Sequence, residues 1–229
     1  MGFIWDIVKK LLILFFGSTI LAVVLYRYVP VYITPLMVLR LIEQKNEGKE
    51  FKMKHDWVSI DEISHNMPQA VVASEDNLFL THHGFDMEQI EKAIEEAKEG
   101  NRHRGASTIS QQTAKNVFLW NGGGYFRKGL EAYFTVLIEL IWSKERIMEV
   151  YLNSIETGDG IYGIEAVAQE NFGKQARTLS QKECALIAAT LPNPLKHDSA
   201  HPSLYMRKRQ LQILLLMNKI EQVNMGCKN

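Results

Sequence analysis

Between Lys10 and Arg27 the chain holds a run, Leu11 to Tyr26, that is apolar except for Ser18 and Thr19. Such a run can bury its backbone polar groups away from water only as a helix, either inside a core or in lipid. Its strict apolar core is shorter than the roughly 20 residues a span prefers. Phe3 to Val8 adds further apolar residues, and Lys9, Lys10 and Arg27 flank the run with side chains able to snorkel. No small-x-small cleavage pattern follows the run, where Tyr, Arg, Val and Pro stand instead, so an uncleaved anchor is favoured over a removed signal peptide. Lys9 and Lys10 on the short N-terminal side predict a cytoplasmic stub, with everything after residue 27 facing outward.

The remaining chain bounds what the anchor carries. At 229 residues and 46% hydrophobic side chains there is material for one ordinary globular domain plus the anchor, and a second large domain is excluded. Residues 1–28 are read as stub and transmembrane anchor, and 29–229 as one catalytic domain with a membrane-proximal segment over 29–50. Lys plus Arg and Asp plus Glu number 26 each, so no overall basic field draws in nucleic acid. Cys184 and Cys227 match neither a metal-ligand spacing nor a disulfide framework, and are read as core and tail, with one bridge between them left open.

Helical signals dominate. Pro30 and Pro35 break the segment after the anchor into an extended entry and a short helix. That helix either lies at the membrane interface or packs Leu36, Met37, Leu39 and Ile42 on the domain. From residue 60 onward no sustained two-residue alternation occurs, so the domain is expected to be mainly α. Asp86-x-x-Gln89 opens a helix expected to close at Gly100, and Ser180-x-x-Glu183 is a capping box. Further helices are expected after Ser107, over Arg127 to Trp142, from Lys144 to Asn153, and from Pro202.

Three polar blocks stand out from this pattern. Glu75-Asp76-x-x-Phe79-x-x-His82-x-Gly84 places a carboxylate after Val71-Val72-Ala73-Ser74, an apolar setting that raises its pKa toward that of a general base. Gly105-Ala-Ser107-Thr108-Ile-Ser110-Gln111-Gln112-x-x-Lys115-Asn116 offers hydroxyls, amides and a cation suited to a sugar or phosphate. Thr108, Gln111 or Gln112, and Lys115 recur at steps that share a helix face. In Arg127-Lys128-x-x-Glu131 two cations stand beside an acid, which should keep Glu131 ionised. Each block has a plainer reading: an Arg-x-x-x-Glu pair is usually a surface ion pair, His83 a solvated side chain, Phe79 core, and the amides satisfied between helices. Their joint occurrence behind an outward-facing anchor favours an active site with acid/base chemistry beside an anion.

These blocks resemble those of the peptidoglycan glycosyltransferases, glycosyltransferase family 51, in its short monofunctional form. The resemblance covers about residues 30 to 215 and extends to Lys144-x-Arg-Ile147-x-Glu149-x-Tyr151-Leu152-Asn153, then Gly158, Gly163, Ala168, Phe172-Gly173 and Leu191-Pro192-Asn193-Pro194. Ser110 and Asn171 depart from the usual pattern. The resemblance implies a lysozyme-like α fold partly sunk in the bacterial cytoplasmic membrane, with the catalytic domain on the extracytoplasmic side. It implies polymerisation of lipid II with release of undecaprenyl pyrophosphate and inversion. Glu75 and Glu131 are then catalytic, Glu75 as general base. Asp76, His82, Ser107, Thr108, Gln111, Gln112, Lys115, Asn116, Arg127, Lys128 and Asn153 are expected to bind substrate. A divalent metal, Mg or Mn, is expected with ligands not identifiable in the sequence, and no organic cofactor. Expected partners are lipid II, the growing glycan, the membrane, and wall-synthesis or cell-division proteins.

Two other readings compete. A lysozyme-like lytic enzyme would also use a glutamate in an α-rich fold, but has no pyrophosphate to stabilise and leaves the Lys115, Arg127 and Lys128 group unexplained. A non-enzymatic membrane scaffold for wall synthesis would be free to lose Glu75 and Glu131, and both are present. Neither Ser-x-x-Lys nor Lys-Thr-Gly occurs, so no peptide cross-linking activity is expected.

Overall fold

The structure, a computed structural model, describes residues 2–99, 105 and 107–226. The apolar run forms the greater part of one continuous helix, α1 (Gly2–Tyr26), long and apolar enough by length and composition to cross a membrane. Leu11, Ile13, Leu14 and Leu21 are exposed, whereas Val23 is fully buried. The C-terminal half of α1 is therefore part of the protein's packing as well as a tether.

It packs on α6 (Gly124–Ile141), an 18-residue helix. Phe15 and Phe16 place their rings 5.8 and 5.7 Å from that of Tyr133, and the Tyr133 hydroxyl lies 2.8 Å from Thr19 Oγ1. Trp142 Nε1 donates to the carbonyl of Val23 at 2.7 Å. Arg146 donates to the carbonyls of Tyr26 and Val29. Of these carbonyls, that of Tyr26 is one the end of α1 leaves without a helical partner, while that of Val23 also accepts the Arg27 N–H.

Pro30 and Pro35 act as expected: an extended entry leads to α2 (Pro35–Asn46), where Thr34 caps the first turn and Pro35 occupies a position that needs no N–H. Leu36 and Met37 are buried while Val38 and Ile42 are exposed, so this helix packs on the domain along one side and presents apolar side chains on the other. Arg40 ties it to Glu156 through two hydrogen bonds of 3.1 Å.

The rest is helical. In order come α3 (Asn66–Glu75), α4 (Met87–Lys98), α5 (Ile109–Phe118), α6, α7 (Lys144–Ser154), α8 (Ile164–Phe172), α9 (Gln181–Ala188) and α10 (Leu204–Met217). The predicted caps hold: Asp86 accepts from Gln89 N, and Ser180 and Glu183 form the capping box of α9. Gly100, expected to close α4, and Cys227 lie outside the described residues. Cys184 is a buried free thiol, as expected of core. α5 packs against α6 and α7, and α3 against α9 and α10. Fully buried Met67, Phe79, Ile109, Ile138, Tyr151 and Leu152 fill the space between these helices.

The sheet is an element that helical patterning did not foresee. β1 (Lys54–His55), β2 (Glu156–Gly158) and β3 (Ile161–Tyr162) form a sheet in the order β1-β3-β2. β2 and β3 are antiparallel, with Glu156 opposite Tyr162, and β1 is parallel to β3, with Lys54 opposite Ile161. Strands of two or three residues are too short to express alternation, and Asp159-Gly160 between them is the hairpin signal.

Gly84 closes the loop between α3 and α4 at φ +90°, and a Cβ there would lie 2.8 Å from Thr135 Cγ2 on α6. Gly84→Ala should therefore lower stability by about 1–3 kcal/mol from backbone strain alone. A thermal melt of the detergent-solubilised variant checks this, and an unchanged midpoint would contradict it.

Candidate active site

The C-terminus of α3 delivers Glu75 into a cleft of about 530 Å³ whose lining includes Asp76, Ser107, Thr108, Gln112 and Arg209. One carboxylate oxygen of Glu75 accepts from Ser74 Oγ at 3.1 Å, and the other from Gln112 Nε2 at 3.2 Å. Burial pushes the Glu75 pKa above the ordinary carboxylate range, and neighbouring Asp76 adds to this. The bonds from Gln112 and Ser74 and the charge of Arg209 pull it back. The apolar setting expected from Val71 to Ser74 thus acts in the predicted direction, making Glu75 a stronger proton acceptor than an exposed carboxylate.

Asp76 and His82 face inward. Asp76 is 6% exposed, and one of its oxygens accepts the Ile109 N–H at 3.0 Å, at the N-terminus of α5 where a negative charge is favoured. His82 Nε2 lies 2.9 Å from Asp76 Oδ1, and the Gly84 N–H donates to His82 Nδ1 at 3.1 Å. With Nδ1 accepting, the proton belongs on Nε2, directed at Asp76. These two residues seat the Glu75 loop against α5.

The Gly-x-Ser-Thr block divides by role. Thr108 caps α5, accepting from Gln111 N and donating to the Gly84 carbonyl at 2.6 Å. Gln111 completes the capping box through the Thr108 N–H. Both are buried, and Asn116 is buried too. Gln112 reaches Glu75, and exposed Ser107 lines the cleft. The sharing of a helix face by Thr108, Gln111 and Lys115 is thus partly a capping pattern.

Ser107 marks the seam with the second group. Lys128 Nζ lies 3.4 Å from Ser107 Oγ and also pairs with Glu131, whose other oxygen takes Arg127 Nη1 at 2.6 Å. Glu131 is 3% exposed, so this is a built ion-pair group and not a surface pair. Gly123, at φ +81° beside the Arg127 side chain, opens α6, and Arg127 Nε donates to the Gly122 carbonyl. Lys115, half-buried on α5, feels the charges of Glu131, Arg127, Glu156 and Lys128, while burial lowers its pKa. Phe79 is core, with Lys144 Nζ 4.6 Å above its ring.

Asn153 does not reach the cleft. It is fully buried, and its amide bonds the backbone of Val58 and the carbonyl of Glu149. Arg209 was missed by sequence reading. It reaches from α10 to the Ser74 carbonyl at 3.2 Å, but within Arg207-Lys208-Arg209 nothing distinguished it from a solvated basic stretch.

A buried carboxyl in a cleft, adjoining a preformed cationic group on a helical domain with an apolar N-terminal helix, is a layout that fits an enzyme transferring glycosyl units. The model of the transglycosylase family matches residues 43–218, and the chain belongs to that family. It is 61% identical over 212 residues to a biosynthetic peptidoglycan transglycosylase of Bacteroides thetaiotaomicron, covering 93% of this chain and 86% of the relative. Relatives of the same name in Caulobacter vibrioides and Bdellovibrio bacteriovorus are 49% and 51% identical, over 92% and 90% of this chain and 91% and 83% of theirs.

Because a buried carboxyl with a raised pKa is held at a cost when ionised, its contribution to stability is present below the unfolded value of 4.5 and is lost as pH rises through the folded value. Glu75→Gln should therefore melt at or above the wild-type temperature at pH 7, and the difference should vanish below pH 4.5. Melting curves at the two pH values test this, and destabilisation at pH 7 would contradict it.

Proposed function

We propose that this chain polymerises lipid II into β-1,4-linked glycan strands, with Glu75 as general base and the Lys115, Arg127, Lys128 and Glu131 group at the pyrophosphate side. Peptidoglycan transglycosylation in cell wall biosynthesis is the activity that membership of the family gives it. The finer reading rests on one observation: the Glu75 cleft and the cationic group meet at Ser107.

In this reading the 4-hydroxyl of an incoming lipid II attacks the anomeric carbon of the growing chain from the face opposite the leaving group. Glu75 takes the hydroxyl proton as the new C–O bond forms. The anomeric C–O bond breaks, its electron pair leaves with undecaprenyl pyrophosphate, and the configuration inverts. Lys115, Arg127 and Lys128 meet the developing charge with fixed cations, which costs no reorganisation at the moment of reaction. Glu131 holds Arg127 and Lys128 in place through both its oxygens.

Mg or Mn belongs to the proposal only as an ion carried in with the substrate pyrophosphate, since Mg takes few protein ligands. Among the described residues no group of three or more His, Cys, Asp or Glu side chains is placed to hold a metal, and the Glu131 oxygens are engaged by cations. The donor set does not fit a resident ion, and the steps above need only the chain's own residues. The proposed location is the bacterial cytoplasmic membrane with α1 as a single span, Lys9 and Lys10 cytoplasmic and the domain outside. Exposed Val136 and Leu140 on α6 and Val38 and Ile42 on α2 support contact with lipid. Recruitment by wall-synthesis or cell-division proteins is a further part of the proposal.

Detergent-solubilised protein incubated with labelled lipid II should yield polymer on a gel, and Glu75→Gln should yield none. Polymer from the variant would overturn the base assignment, and digestion of finished glycan without polymerisation would favour a lytic enzyme. Lys115→Ala and Arg127→Ala should each lower kcat by about a hundredfold through lost leaving-group stabilisation. Loss of melting temperature with an intact kcat would instead assign them to structure.

A further inference from the structure

The buried hydroxyl of Tyr151 has no role in the chemistry above, yet it holds the amide that contacts Glu75. Tyr151 is fully buried on α7, and its O–H donates to Gln112 Oε1 at 3.3 Å. The same Gln112 side chain donates through Nε2 to Glu75 Oε2 at 3.2 Å. An amide has one donating and one accepting end, so whatever holds its oxygen decides what its nitrogen faces.

We propose that Tyr151 is a positioning residue that locks the Gln112 amide with its NH₂ toward Glu75, keeping that carboxyl in its proton-accepting form. The proposal rests on the reading of Glu75 as the base. In the opposite amide orientation, Gln112 Oε1 would face a Glu75 oxygen. Two acceptors then meet, and the contact is favourable only if Glu75 carries a proton. The Tyr151 hydroxyl biases the amide against that state, because a buried O–H that loses its acceptor is left unsatisfied. Burial and the charges of Glu75 and Asp76 hold the Tyr151 pKa well above its usual value, so it remains a donor. The other groups acting on Glu75 are Asp76 on its own loop, which favours the protonated form, and Arg209 from α10, which favours the ionised one. Ser74 Oγ donates to the remaining Glu75 oxygen, with Arg209 Nη2 3.5 Å from the same Oγ, so Gln112 is the contact on Glu75 whose sense Tyr151 sets.

The test compares wild type, Tyr151→Phe, Gln112→Met and the double variant. Two readouts are used: kcat/KM for lipid II against pH, and the titration of the Glu75 carboxyl by 13C NMR of carboxyl-labelled glutamate, assigned by difference from Glu75→Gln. Tyr151→Phe should move both the acid limb and the carboxyl titration up by about one pH unit, the size expected for one hydrogen bond to the ionised form. Activity would then fall about tenfold on the acid side and converge with wild type at high pH, a pattern that lost packing alone does not produce. Gln112→Met should shift the titration in the same direction, and the double variant no further than the larger single shift, since both act through one path. A rate lowered equally at every pH with an unmoved carboxyl titration, or shifts that add in the double variant, would overturn the proposal. A moved carboxyl titration with an unmoved acid limb would uphold the positioning role and sink Glu75 as base. Should Tyr151→Phe not fold, an unmoved titration in Gln112→Met overturns the proposal by itself.

Discussion

The acceptance of the Ile109 N–H by the Asp76 carboxylate is the contact on which the rest of the site depends. It joins the loop that ends α3 to the first turn of α5, and the neighbouring contacts of the site gather on that turn. Thr108 caps the same turn and reaches back to the Gly84 carbonyl, and His82 links Asp76 to Gly84. The circuit is closed and buried, so each polar group in it is satisfied by another, which is the condition under which a polar network stiffens a core instead of weakening it. Glu75 is next in the chain to Asp76, and Gln112 lies one turn beyond Thr108. The distance between the Glu75 carboxyl and the Gln112 amide is thereby fixed by two neighbouring backbone positions.

A second, separate brace lies behind this one. Glu139 on α6 takes both Ser110 from α5 and Lys144 from the start of α7, and Lys144 also lies over the Phe79 ring. Buried ion pairs of this kind contribute little net stability, because desolvation opposes the attraction. Here the pair ties three helices and the Glu75 loop to one carboxylate, which makes position, more than energy, its contribution.

Much of this was legible in the residues themselves. The caps at Asp86 and Ser180 and the prolines ahead of α2 act through local backbone chemistry that a sequence displays directly. Glu75 after Val71-Val72-Ala73-Ser74 likewise announced its apolar surroundings. The direction in which a polar side chain points was not legible: Gln111 and Gln112 are adjacent and identical, yet one caps its own helix and the other reaches Glu75. Asn153 and Arg209 fail in opposite senses for the same reason. Tertiary packing turned the first onto backbone at Val58 and brought the second from the far end of the chain to Ser74. The β2–β3 hairpin escaped because pairing across Asp159-Gly160 involves too few residues to leave a period.

The grip of Tyr133 and Trp142 on α1 has a consequence for how the enzyme meets a lipid. Tyr133 stands six residues after Arg127, about 9 Å farther along the axis of α6. On the proposed reading of α1 as the membrane span, the depth of the Arg127 and Lys128 cations relative to the headgroups is set by which residue of α1 lies opposite Tyr133, and not by the length of the segment from Arg27 to Thr34. On the proposed reading the anchor would work as a depth gauge, holding the cationic group at one level of the bilayer, where the lipid-borne pyrophosphate of the proposed substrate would arrive by sideways diffusion.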